Sequence, residues 1–325
     1  MKFYTRAYYD RPLRRFVGWV VSMIILLVAS AFFASAVAAA DAPLRYVHGW
    51  AFLVSVALFA LNAAVQLPLV FSDRGLGDAF EAASPRFVPL AAAVAALLGT
   101  LPFSVGCVVL ARRAENVLRT AIVTETIHSY RGMLFTAVLT ALLFLAGAVG
   151  LLLHAFVPER FPAAGIILHL PLPIGCAAFS LYLYFDKTTP RNATLKLCVS
   201  LAFLLLALLL LLRIRMMVGS PRPRLAVWLA RAALPYTVGV GVTLLCLSIA
   251  KHLVFVSYII PAALLFLSFY IFVTIIRPTV GVTETGPLTP GAPDAQDDFG
   301  DPGAPTDAPD TPEHRDQDGE NAGEE

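Results

Sequence analysis

Leu201 to Leu212 and Leu253 to Ile276 run without a single charged residue, and segments of that kind most narrow the folds open to this chain. Eight long apolar stretches follow one another, at about 16–39, 46–72, 88–111, 133–157, 163–185, 195–213, 226–250 and 253–276. Roughly 20 helical residues cross a hydrocarbon layer about 30 Å thick, so each stretch can span a bilayer alone. Lipid offers no partner to a backbone N–H or C=O, and a span must therefore close its own hydrogen-bond ladder as a helix. The ten-residue alternation of polarity that a β-barrel strand needs is not present. A composition of 58% hydrophobic and 14% charged residues excludes an ordinary soluble domain. The expected fold class is all-α: a polytopic membrane helix bundle of about eight transmembrane helices over residues 16–278. A basic segment, 1–15, precedes it, and a disordered acidic tail, 279–325, follows.

Positive charge beside the spans orients such a bundle. Residues 1–15 hold Lys2, Arg6, Arg11, Arg14 and Arg15. The apolar run after them is too long for a typical signal-peptide core and more spans follow, so it reads as a retained signal anchor. With the N-terminus inside, thirteen Lys and Arg fall on inner segments and nine on outer ones, which places both termini in the cytosol. The main exception is 112–131, where Arg112, Arg113, Arg119 and Arg131 sit on the outer side. Ala114, Val117, Leu118, Ala121 and Ile122 recur there at helical spacing, so the segment reads either as an amphipathic extension of the third span along the interface or as a solvated loop. If one earlier stretch fails to cross, that loop returns inside and seven spans remain. Lys251-His252 is the weakest boundary between spans.

From Gly281 onward the tail carries thirteen acids and one base, Arg315, for a net charge of −12; the whole-chain +2 thus leaves +14 on residues 1–280. Rich in Pro, Gly, Asp and Ala, with Phe299 its one aromatic, it cannot bury enough apolar area to offset its ordering entropy, hence the expectation of disorder. It reads as a solubilising extension or as a docking tail for cytosolic proteins. Thr289 and Thr311, each followed by proline, are candidate phosphorylation sites on such a tail.

An internal echo marks the odd-numbered spans. Leu101-Pro102-Phe103-Ser104-Val105-Gly106, Leu170-Pro171-Leu172-Pro173-Ile174-Gly175 and Leu234-Pro235-Tyr236-Thr237-Val238-Gly239 share the pattern Leu-Pro-x-x-(Val/Ile)-Gly. Proline removes one helix hydrogen bond and kinks the rod; a glycine four residues on shares its face and admits a close neighbour. Pro102, Gly106, Pro171, Gly175, Pro235 and Gly239 are therefore candidate packing residues, or the walls of a pathway built from broken helices. Asn62 and Gln66, four apart in the second span, share one face; they can bond a neighbouring helix or line a hydrated gap. Arg231, near the start of the seventh span, is placed to snorkel to headgroups. His154 and His169 flank the fourth-to-fifth connection and read as satisfied polar residues.

Catalytic and metal signatures are missing. No span holds an interior carboxylate. Cys107, Cys176, Cys198 and Cys246 are scattered and read as small buried apolar residues. Glu125 and His128 have no second histidine at ligand spacing, and there is no phosphate-binding loop, no nucleophile elbow and no basic-aromatic surface for nucleic acid. No catalytic residue, metal or cofactor is expected. Asn192-Ala193-Thr194 is a weak glycosylation sequon in a short loop.

Eight spans, cytosolic ends and an acidic C-terminal tail resemble the layout of the multi-spanning envelope glycoproteins of herpesviruses. The first external loop here is only about six residues long and lacks a cysteine for a partner disulfide; no motif carries the likeness and no residue role is transferred. The functional expectation is a non-enzymatic scaffold or adaptor in the lipid bilayer. It packs with other membrane proteins through the bundle and with cytosolic proteins through the tail, with envelope assembly or trafficking as one setting (host membranes and the virion envelope, if viral). The alternative is a small-solute transporter or channel using the proline-kinked spans. A polar cavity at mid-depth near Gln66, Pro102, Pro171 or Pro235 would favour conduction, and a filled core would oppose it.

Overall fold

In a computed structural model of the chain, the described residues are 16–25, 27–33, 50–71, 87–120, 124–156, 167–186, 194–217, 223–250 and 256–277; all of them except Leu170 and Asp186 are helical. The helices are α1 (Phe16–Phe33), α2 (Trp50–Phe71), α3 (Phe87–Thr120), α4 (Thr124–Phe156), α5 (Pro171–Phe185), α6 (Thr194–Met217), α7 (Pro223–Ala250) and α8 (Val256–Ile271). A short turn from Ile167 leads into α5, and a π-helical stretch, Phe272–Ile276, prolongs α8. Eight helices among the described residues are long and apolar enough to cross a membrane. The chain is a helix bundle of the multi-pass membrane type. The tail with Thr289 and Thr311, the segment 1–15, the sequon at Asn192 and the junction Lys251-His252 lie outside the described residues.

On α2 and along part of α4 the distribution of side chains is the reverse of that in a water-soluble bundle. On α2 the buried residues are Ser55, Asn62, Gln66 and Val70, while Leu53, Val56, Leu61 and Leu67 face outward. On α4, Ala137, Ala141 and Ala148 are buried and Phe135, Leu142 and Leu145 are exposed. Small and polar groups inside let helices approach and bond, while large apolar groups outside meet hydrocarbon that water would penalise. Such a pattern suits a surround of lipid rather than water.

From α3 onward, sequence neighbours pack antiparallel. Gly132 of α4 meets Phe185 at the end of α5, and Gly147 and Gly150 meet Leu172 and Leu168 at its start. Ser180 of α5 donates to the Ser200 carbonyl of α6, and Thr237 of α7 pairs with Ser268 of α8 at 2.8 Å. Helices distant in sequence close the bundle: α3 lies against α8, with Gly99 and Gly106 touching Phe266 and Ile259, and α1 lies beside α7, with Gly18 near Arg231 and Gly239 near Ser30.

Between α3, α4, α5 and α6 the interior is aromatic. Phe103 lies with its ring centroid 4.6 Å from Phe144, 4.8 Å from Phe179 and 5.4 Å from Phe203, and Phe179 is 4.7 Å from Phe203. All four are essentially fully buried. Ring pairs at such spacing contribute beyond their buried area, and four of them fill the space where the four helices converge.

The third span is longer than its apolar stretch suggests. α3 continues unbroken to Thr120, so the segment after Ala111 prolongs the same helix and is no solvated loop as far as residue 120. Ala111 and Ala114 are buried, which holds that extension against the bundle; Val117, assigned to the same apolar face, is exposed instead.

Candidate functional site

The deepest concentration of polar groups lies where α1, α2 and α7 meet. Asn62 and Gln66 are 0% exposed and Arg231 is 2% exposed. Asn62 Oδ1 accepts from the Ser22 hydroxyl at 3.1 Å, and Asn62 Nδ2 donates to the Arg231 backbone carbonyl at 2.8 Å. One turn along, Gln66 Nε2 donates to the Gly18 carbonyl at 2.9 Å, and Gln66 Oε1 accepts from Arg231 Nη1 at 3.4 Å. Trp228 Nε1 adds a bond to the Ala63 carbonyl at 2.9 Å. Both ends of both amides are therefore spent on neighbouring helices.

One of these bonds has a covalent cause. The carbonyl of Arg231 would ordinarily accept from the N–H four residues on, and residue 235 is proline, which has none. Asn62 from another helix supplies the missing donor. A kink-forming residue in α7 and a polar residue in α2, 173 positions apart in the chain, are thus two halves of one hydrogen-bonding solution.

Arg231 does not snorkel outward. Its guanidinium turns into the seam between α1 and α2, and a Cβ at Gly18 would come within 2.9 Å of Nη1. Glycine at 18 is what makes room for the charged group. Residue spacing in α7 alone could not disclose this, because it depends on which side α1 docks.

The glycines of the repeated motif each face a different partner. Gly106 receives Ile259 of α8, Gly175 receives the Phe144 ring of α4, and Gly239 receives Ser30 of α1 and Phe59 of α2. Pro102 and Pro235 lie inside their helices. Pro171 does not: it opens α5 at its first turn, where its missing N–H costs nothing and its ring pre-sets the helix. The kink expected there is replaced by a helix start. Gly175 and Phe103, from two copies of the motif, serve the same aromatic cluster, the one by admitting Phe144 and the other by stacking on it.

Next to Pro235 an apolar groove of about 610 Å³ opens between α2, α6 and α7. Its walls include Phe59, Leu201, Trp228 and Tyr236. The two polar groups that border it are turned to backbone, Trp228 to Ala63 and Tyr236 to the Cys198 carbonyl at 3.1 Å. Such a groove accommodates hydrocarbon and offers nothing to a polar solute.

Among the described residues no three His, Cys, Asp or Glu side chains gather as a metal site. His169 is buried and His128 exposed; the side chains of Glu125 and His154 lie outside the described residues. Cys107, Cys176 and Cys198 are buried, but Cys246 is exposed on α7, contrary to the expectation for all four. Comparison with protein-family models, with curated proteins and with solved structures finds no match, so the functional reading rests on residues and geometry.

Proposed function

We propose that this multi-pass membrane protein is a non-catalytic scaffold, whose bundle anchors and packs while its acidic C-terminal segment recruits cytosolic proteins. The observation that carries the reading is the aromatic plug of Phe103, Phe144, Phe179 and Phe203, which fills the space between α3, α4, α5 and α6 beside Pro102. Asn62 and Gln66, the polar groups best suited to line a pathway, are bonded to Ser22, Gly18 and Arg231 and have no amide atom left over for a passing solute. With its interior used for packing, the chain's strongest remaining signal is electrostatic, a −12 tail on a +14 body. That tail is placed in the cytosol with the N-terminus, in keeping with the excess of Lys and Arg on the inner segments.

The experiment is deletion of 281–325. The truncated chain should insert and melt as the full chain does, while cytosolic partners captured by crosslinking from intact cells are lost. An unchanged partner set would refute the docking role. Protease added outside sealed cells should leave the tail intact; its digestion would reverse the orientation.

A further inference from the structure

The eight helices are not held equally. Less than a quarter of the apolar window of α1 or of α2 is buried, against half or more in every other helix. Each of α3 to α8 packs along at least two others of that set, whereas α2 packs along α7 alone among them. Within α2 the buried residues are Ser55, Asn62, Gln66 and Val70, and the Ser55 hydroxyl is spent on its own helix, at the Phe52 carbonyl.

α1 and α2 are bonded to each other. Ser22 donates to Asn62 and Gln66 to the Gly18 carbonyl, while Phe32 and Phe33 of α1 lie against Trp50 and Phe52 of α2. α2 meets the other six helices along one line. Asn62 donates to the Arg231 carbonyl, Arg231 to Gln66 and Trp228 to the Ala63 carbonyl, and the Phe59 ring lies 5.2 Å from that of Tyr236; all four links end on α7. α1 adds the approach of Ser30 to Gly239 of α7 and one contact elsewhere, that of Trp19 with Phe272 at the end of α8. On its other flank α2 is parted from α6 by the groove of about 610 Å³. In lipid, no removal of apolar surface from water presses helices together, so helices with few buried contacts and one row of polar bonds are the first to open.

We propose that α1 and α2 form an arm that swings off the body α3 to α8 as one unit, with the bonds that Asn62, Ala63 and Gln66 make to α7 as its latch. Opening widens the groove beside Tyr236 and uncovers the polar side of α7 at Arg231. This device is independent of the scaffold reading.

The test is the separation of paramagnetic labels, measured by pulsed electron resonance on the full chain in micelles with Cys246→Ser. Labels on Leu61→Cys of α2 and Leu204→Cys of α6, both exposed positions, report the arm; labels on Leu142→Cys of α4 and Leu204→Cys report the body. The arm pair should show a main separation and a longer minor one. Asn62→Ala removes a latch bond and should raise the ratio of long to short about threefold, the worth of an average side-chain bond in a membrane bundle. Ser30→Cys with Gly239→Cys supplies a lock, because a Cβ at 239 lies 3.8 Å from the Ser30 Cβ, the usual spacing across a disulfide. Oxidation of the lock should abolish the longer separation and reduction should restore it, while the body pair keeps one separation in every species. Absence of the longer separation from both the native chain and Asn62→Ala, or its persistence in the oxidised lock, would overturn the arm. Equal lengthening of the body pair in Asn62→Ala would also overturn it, as general loosening of the bundle.

Discussion

Replacing Asn62 by alanine should reveal how α2 compensates for the proline in α7. The substitution removes the donor to the Arg231 carbonyl, 2.8 Å away, and the acceptor for Ser22 at 3.1 Å. A buried carbonyl left without a donor costs about 1–3 kcal/mol, while side-chain bonds inside membrane bundles average about 0.6 and reach about 1.7 kcal/mol. Asn62 is wholly buried and bonded at both ends, so the upper part of the membrane range applies, about 1.5 kcal/mol. In a Pro235→Ala background the alanine N–H can itself bond the Arg231 carbonyl, and Asn62→Ala should then cost only the Ser22 bond and the cavity, about 0.5 kcal/mol. The coupling between the two sites is thus about 1 kcal/mol, roughly a fivefold change in the unfolding constant. The cavity left by the amide is common to both backgrounds and cancels in the double-mutant cycle. Reversible unfolding in mixed micelles, followed by the fluorescence of Trp19 and Trp228, measures all four species. If Asn62→Ala costs the same with proline or alanine at 235, the carbonyl-capping argument is wrong.

Gly150→Ala should be among the most damaging small substitutions, because its Cβ would lie 2.1 Å from the Leu168 backbone oxygen; main chain cannot swing aside, and a loss of about 3 kcal/mol or more is expected. Gly132→Ala, whose Cβ would meet the Phe185 ring at 2.8 Å, should cost about 1 kcal/mol because a side chain can yield; equal melting shifts for the two would contradict this distinction. Phe179→Ala removes a ring from the centre of the plug and should lower stability by about 3–5 kcal/mol. The same variant offers a check on conduction: native chain in liposomes should pass no small solute, and native uptake at rates matching the variant would show that the plug does not close the bundle. Finally, a lipid-soluble maleimide should label one cysteine, Cys246, in the folded chain and all four after denaturation, counted by intact mass; labelling of Cys176 in the native state would mean that α5 is less firmly packed than described.

Some of the site was legible beforehand, and its limits are instructive. Asn62 and Gln66 stood out because polar amides four apart in an apolar stretch must share a face and find partners. Their partners were not legible: Ser22 and Gly18 are ordinary residues of another span, and the Arg231 carbonyl is backbone. Pro235 was visible as a kink-former, but Pro171 carries the same motif and begins a helix, since the motif alone does not say how much helix precedes it. Gly150 lies outside any motif and shows its constraint only when Leu168 is set against it. A recess lined by Arg113, Tyr130, Tyr182 and Asp186 draws on α3, α4 and the end of α5, and of the four only Tyr182 and Asp186, one helical turn apart, are close in the chain.

The helical nature of the long apolar stretches and their capacity to span a bilayer follow from the chain itself, because that capacity is a property each segment meets alone: its length, its lack of charge and its own hydrogen-bond ladder are sufficient. Which helix touches which, and hence where Arg231 goes, which carbonyl Asn62 serves and which four phenylalanines meet, came only with the packed bundle. Helix association in lipid is driven by close fit and by a few polar bonds rather than by removal of apolar surface from water, and fit between surfaces distant in the chain leaves no local trace in either one.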